Sequence, residues 1–188
     1  MNLALLVIDV QRALFDATPR PFEADAVVAR INGLSARARA GGVPVVFIQH
    51  ETPGSALEFE RDGWQLAQGL DVQPGDCFVR KTTADSFLRT NLGEMLRALG
   101  VTRLAVCGYA SEFCVDTTVR RAAALGYAVT LAADAHTTHD KAHASGADIR
   151  RHENATLPEI TSFGPAIRAI TSAELEFGGV DHVRKPWL

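Results

Sequence analysis

A carboxylate, an ammonium and a thiol stand in this sequence where a covalent nucleophile could be assembled from them: Asp9, Lys81 and Cys114. Asp9 closes the apolar run Leu3-Ala4-Leu5-Leu6-Val7-Ile8, and a carboxylate there loses hydration unless a cation or hydrogen-bond donors compensate. Lys81, in Arg80-Lys81-Thr82-Thr83, is a candidate for that cation. Cys114 lies in Gly108-Tyr109-Ala110-Ser111-Glu112-Phe113-Cys114-Val115-Asp116, a turn that feeds a helix. The positive end of a helix and a nearby ammonium both lower a thiol's pKa, so a thiolate available near neutrality is the expectation. Taken singly, each residue has a plainer reading: a loop-capping Asp, a solvated Lys, an inert buried Cys. Cys107, inside an apolar run, and Cys77 are read as inert thiols of that kind. Ser111 is expected at the helix N-cap or one residue from it.

These residues need elements to hold them. The run from Leu3 to Ile8 suits a strand covered on both faces, and Val43 to Ile48, Arg103 to Cys107 and Tyr127 to Ala132 repeat its character. Phe22 to Ala40 places Val27, Ile31, Leu34 and Ala38 at helical spacing and stops at Gly41-Gly42. Leu92, Met95, Leu96 and Leu99 mark a second helix closed by Gly100, and Val115, Val119 and Ala122 a third closed by Gly126. Shorter strands near Cys77 to Arg80 and Ile167 to Thr171 bring the count to about six. Strands alternating with helices predict a mainly parallel sheet between two helix layers.

Ligands of such sheets bind beyond the carboxyl ends of the strands, where Asp9, Gln49, His50, Lys81, Tyr109 and Asp134 fall. The connection from His50 to Asp76 is long, and reads either as a lid over that edge or as a surface excursion with its own short helix. His139 and His143, four apart, read as a polar helix face, since no third ligand accompanies them.

The length of 188 residues suits one domain, and 47% hydrophobic with 22% charged residues is enough for a sizeable core. A net charge of −3 gives no footprint for a phosphate backbone, so nucleic acid is not an expected partner. Three cysteines without metal-type spacing argue against a disulfide framework or a zinc ribbon and fit a reducing cytoplasm. The apolar N-terminal stretch is too short to span a bilayer and lacks a signal peptide's basic flank, so no membrane association is expected. No G-x-G-x-x-G follows the first strand, against a dinucleotide site.

Three segments together resemble the isochorismatase-like cysteine hydrolases: Val7-Ile8-Asp9-Val10-Gln11, Arg80-Lys81-Thr82-Thr83-Ala84-Asp85-Ser86-Phe87 and Gly108 to Val115. Phe47-Ile48-Gln49-His50-Glu51, Asp134-Ala135 and His152-Glu153-Asn154-Ala155-Thr156-Leu157 look like that family too. The resemblance runs over most of the chain. It implies an α/β fold, a three-layer α/β/α sandwich with a mainly parallel, about six-stranded sheet in Rossmann-like order. The hydrolase domain would cover residues 1–177, with 178–188 as a tail in which Trp187 could dock on a neighbouring protomer. The family triad carries over as Cys114 the nucleophile, Asp9 the general base and later acid, and Lys81 the cation that orients Asp9 and favours the thiolate. The resemblance also implies a non-proline cis peptide at Tyr109-Ala110 and an oxyanion hole from the Ala110 and Cys114 N–H groups, each such donor contributing about 3 to 4 kcal/mol in the transition state.

Two departures narrow the activity. Nicotinamidases of the superfamily carry a D-x-H metal motif after the second strand, where this chain has Gln49-His50-Glu51-Thr52, so no metal is expected and no cofactor is required. Members that cleave the vinyl ether of isochorismate lack the cysteine that is present here. What remains is hydrolysis of an amide, ureido or lactam C–N bond of a small molecule, with Gln11, Phe15, His50, Trp64 and Tyr109 as candidate substrate-binding residues. A homo-oligomer, dimer or tetramer, is implied by the family. The competing class is a catalytically silent small-molecule binder or a thiol redox sensor using Cys114.

Overall fold

Every one of the six residues of β1 (Leu3–Ile8) is buried, which only a strand covered on both faces can achieve. The computed structural model describes residues 3–177, so the tail at 178–188, with Trp187, lies outside the described residues. Six strands form one sheet in the order β3-β2-β1-β4-β5-β6, with β2 at Val45–His50, β3 at Cys77–Lys81, β4 at Arg103–Tyr109, β5 at Ala128–Thr137 and β6 at Ile167–Ile170. All five pairings are parallel. The expected six-stranded doubly wound architecture is therefore observed.

Period-two alternation divides the core into two halves. Leu5, Val7, Val45, Phe47, Ala105 and Cys107 face α2 (Ala24–Ala40) through its Val27, Ile31, Leu34 and Ala38. Ala4, Leu6, Ile8, Val46, Ile48, Leu104 and Val106 face the other way, onto Leu92 and Leu96 of α3 (Leu92–Ala98) and Val119 and Ala122 of α4 (Asp116–Ala124). A short α1 (Arg12–Phe15) and α5 (Gly146–Thr156) complete the α-helices among the described residues. No helix among the described residues is long and apolar enough to cross a membrane.

The chain winds outward from β1 to β3, then returns to place β4 on the other flank of β1. The sheet edge where β1 and β4 end is thus the topological switch point, where crossovers diverge and leave a crevice. Gly108, near the end of β4, has φ +116, and a Cβ there would lie 2.1 Å from the Ile8 carbonyl oxygen. Only glycine allows β4 to approach β1 this closely just before the turn that carries Cys114.

Two expectations are corrected, and of the two alternatives left open for the connection after β2 the excursion with its own short helix is the one observed. The segment from Thr138 to Ser145 is not helical, so His139 and His143 share no helix face; it is instead a loop in which Lys141 N–H donates to the Ala144 carbonyl at 2.9 Å. β5 does not end at Asp134 but continues to Thr137 across an irregularity in its pairing with β4, where Asp134 turns aside to accept from Ser172 N and Oγ. The connection after β2 contains a short helix at Asp62–Trp64, and it is stapled to α2 by Arg39 with Asp71 and Asp76 and by Asn32 with Gly69 and Asp71. It is a packed excursion on the α2 side.

Candidate active site

Lys81 sits on β3, two strands away from β1, with β2 between them. Adjacent strands lie about 4.8 Å apart, so a side chain must span roughly 9.6 Å to meet the end of β1, and a long flexible stem is what makes the meeting possible. Reach, and not strand adjacency, is what brings the pair together. Asp9 meets Lys81 by leaving the strand: its φ is +51, a left-handed conformation in which Asp is several-fold enriched among non-glycine residues.

The Lys81 ammonium lies 2.7 Å from Asp9 Oδ2, and 3.1 Å from each of His50 Nδ1, the Thr83 carbonyl oxygen and Cys114 Sγ. Its three N–H groups thus face four acceptors. Both charged side chains are inaccessible, at 0% for Lys81 and 2% for Asp9. Because an ammonium cannot accept, His50 must accept at Nδ1, which places the proton of the neutral ring on Nε2. Burial first, and then the neighbouring Lys81 charge, lower the His50 pKa below its ordinary value. Asp9 Oδ1 is buried with no hydrogen-bond partner, an open seat for one proton.

Cys114 belongs to a π-turn, Ser111–Val115, that runs directly into α4. Its thiol is not depressed, as the sequence reading expected, but pushed up to about 12. Burial is the largest cause; the Asp9 carboxylate adds to it, and Lys81 opposes both. The thiol therefore keeps its proton at rest, and a base is needed to remove it. Cys107 is fully buried and raised by that burial alone, in keeping with an inert thiol. The Tyr109–Ala110 peptide is cis, and the buried Ala110 N–H donates to no acceptor among the described residues.

Asp9, His50 and Cys114 are also the one group among the described residues with donor atoms close enough to hold a metal, all within 4.8 Å of one another. Lys81 Nζ contacts all three, so the protein's own ammonium takes the position of a cation there.

The candidate substrate residues divide. His50 alone joins the cluster directly. Gln11 is wholly buried and its amide is spent: Nε2 donates to the His50 and Trp64 carbonyls, and Oε1 accepts from His50 N–H. It brackets β1, β2 and the excursion and has no group left for a ligand. Phe15 is also wholly buried, in the α2-side core, edge-on to Tyr109. Tyr109 spends its hydroxyl on His139 Nδ1 at 2.8 Å while His139 Nε2 donates to the Pro19 carbonyl, making Tyr109 a strut. Trp64 lines a groove of about 830 Å³ with Phe78, Arg80 and Gln49. Arg80 alternates with Lys81 along β3, so the Phe78 and Arg80 side chains that line this groove leave the sheet on the face opposite the ammonium.

Sequence reading also missed residues. Ser111 lies one residue from the N-cap, Ala110, of the turn that runs into α4, as expected, but its Oγ makes no cap bond and instead meets His136 Nδ1 at 2.8 Å. His136 in turn reaches Asn154 at 2.9 Å. Glu153, beside Asn154, packs against Asp116 at the start of α4, and burial followed by that second carboxylate pushes it up to about 7. The visible signal was a histidine two residues after Asp134, at the end of a strand that begins apolar.

Compared with known proteins, the chain matches the Isochorismatase domain model over residues 3–162. It is similar to a streptothricin hydrolase of Streptomyces noursei, 40% identical over 176 residues that cover 93% of this chain and 59% of that protein. It thus spans less than two thirds of that relative's length. A ureidoacrylate amidohydrolase of Pseudomonas syringae pv. syringae is 31% identical, with 70% of this chain and 69% of that protein covered. Among solved structures, an isochorismatase from Pseudomonas putida KT2440 superposes with a TM-score of 0.84 at 31% identity, covering 93% of this chain and 90% of that one.

Proposed function

The chain belongs to the isochorismatase family, and from that premise we propose that it is a cysteine amidohydrolase, cleaving a C–N bond of a small amide or ureido compound through a thioester on Cys114. One observation carries the reading: a single buried ammonium bridges a buried carboxylate and a thiol, at 2.7 and 3.1 Å. Names of two relatives, a streptothricin hydrolase and a ureidoacrylate amidohydrolase, support the bond class.

The thiol's raised pKa decides the order of events. Cys114 gives its proton to Asp9, whose Oδ1 is unpartnered, as the sulfur attacks the substrate carbonyl carbon. Lys81 holds Asp9 by Oδ2 and stabilises the sulfur as its charge develops. The oxyanion accepts from the Ala110 and Cys114 N–H groups, the former having no other acceptor. Asp9 returns the proton to the departing nitrogen as the C–N bond breaks, leaving the thioester. Asp9 then takes a proton from water, the hydroxyl adds to the thioester carbon, and the acid leaves as Cys114 recovers its proton. His50, neutral with its proton on Nε2, offers that N–H to the substrate. A resting thiolate, which a redox sensor would use, is disfavoured by the same burial and the same Asp9 charge.

Cys114→Ala is expected to abolish turnover of any amide or ureido substrate found in a panel, with an unchanged circular dichroism spectrum. A slow substrate should leave a mass increment on Cys114 equal to its acyl group. Turnover by Cys114→Ala above trace level would remove the nucleophile from the account.

A further inference from the structure

We infer that His136 and Asn154 are positioning residues for the backbone that receives the oxyanion, acting through Ser111; the inference rests on the amidohydrolase reading above. Neither residue takes part in the proton transfers, yet His136 is wholly buried and both its ring nitrogens are engaged. Asn154 Nδ2 donates to the Ala133 carbonyl at 2.8 Å, which turns its Oδ1 to His136 Nε2 at 2.9 Å. An amide oxygen cannot donate, so Nε2 carries the ring proton. Burial holds the ring neutral, its pKa pushed down to about 4, which leaves Nδ1 bare to accept from the Ser111 hydroxyl. Every bond in the chain from α5 through β5 to the π-turn therefore has one possible direction.

Ser111 is the residue after Ala110 and three before Cys114, so it belongs to the stretch of turn that joins the two N–H groups in question. A serine without a fixed partner bonds back onto nearby main chain and distorts it; here His136 withdraws that option. The outward side of the same turn is held separately, with Glu112 accepting from Thr138 Oγ1 at 2.9 Å and facing Lys141 at 3.2 Å. Donors fixed from both sides need no reorganisation when charge develops, which is where their value lies.

The test compares two reactions of the same sulfur. Iodoacetamide alkylation displaces iodide at a saturated carbon and forms no oxyanion. Reaction with p-nitrophenyl acetate forms the S–C bond through a tetrahedral oxyanion, then breaks the C–O bond and releases nitrophenolate. Cys114-dependent nitrophenolate release, taken as the difference from Cys114→Ala, should fall at least tenfold in Ser111→Ala. Alkylation of Cys114, read by peptide mapping at pH 8.5, should stay within twofold of the parent chain. Asn154→Ala, two bonds further away, should lower nitrophenolate release by a smaller factor with alkylation again unchanged, and it carries the test if Ser111→Ala does not fold. Unchanged nitrophenolate release, or both rates falling in step, overturns the positioning role. If neither reagent labels Cys114 in the parent chain, the amidohydrolase reading itself falls, an outcome distinguishable from the other two.

Discussion

Arg80 and Lys81 are neighbours on β3, and each reaches a carboxylate at almost the same distance: 2.8 Å to Glu51 and 2.7 Å to Asp9. Strand alternation sends them to opposite faces of the sheet. The Arg80 and Glu51 side chains are 47% and 19% exposed, whereas those of Lys81 and Asp9 are 0% and 2% exposed. Water screens the first pair, and Arg80 spends part of its surface stacked over Phe59, 3.4 Å from the ring centroid. The second pair has no water to fall back on, so each partner is held by the other and by the groups around it. Length alone says nothing about what an ion pair does. The surroundings turn one pair into a surface brace and the other into a device for moving a proton.

Breaking the buried pair from the cationic side should have the largest effect. Lys81→Met strands the Asp9 carboxylate, and we expect about 3 to 5 kcal/mol of lost stability in urea unfolding, together with loss of turnover. Asp9→Asn sharpens the contrast from the other side. Asn tolerates the left-handed backbone at this position, and Lys81 keeps His50, Thr83 and an amide oxygen as acceptors. Its stability loss should be smaller than that of Lys81→Met, while turnover falls by a factor of about 10² to 10⁴, the usual contribution of a general base. Equal stability losses for the two variants would contradict the asymmetry drawn here.

A third carboxylate is buried beside another acid, and the Arg120 charge offsets the two only in part. Glu153 has a buried Oε2 without a partner and Asp116 nearby. Its pKa in the folded chain, about 7, exceeds the unfolded value of 4.5, so the folded state binds the proton more tightly. Its contribution to stability is fully present below about pH 4.5 and is lost as pH rises through 7. Glu153→Gln removes that loss: its Tm should exceed the parent's at pH 8 and the gap should close at pH 4.5, as differential scanning fluorimetry would show. The smallest effect belongs to the exposed pair. Arg80→Ala should cost at most about 1 kcal/mol, and part of the difference should disappear in high salt, leaving the contribution of Phe59 stacking.

Much of the fold was legible because the apolar runs are long and their periods unambiguous. Leu3 to Ile8, Val43 to Ile48 and Arg103 to Cys107 each read as buried strands, and Val27, Ile31, Leu34 and Ala38 as one helix stripe; the boundaries moved by a few residues. The proximity of Asp9, Lys81 and Cys114 was also within reach, since strand ends of a doubly wound sheet converge on one edge. The lining residues were not. Gln11, Phe15 and Tyr109 occupy positions from which a side chain could face the crevice or the interior, and spacing along the chain does not distinguish the two. The His136–Ser111 contact joins residues 25 apart, and no local pattern announces it.

By itself the sequence marked the buried strands, three of the helices and the three side chains that could make a nucleophile, because period and residue type are local properties of the chain. Tertiary structure decided how those three behave. Only packing told that Lys81 must reach across β2, that Asp9 presents one free oxygen, and that Cys114 is a protonated thiol at rest instead of a thiolate. Desolvation and charge proximity are set by what surrounds a group in space, and that is fixed only when the chain has closed around it.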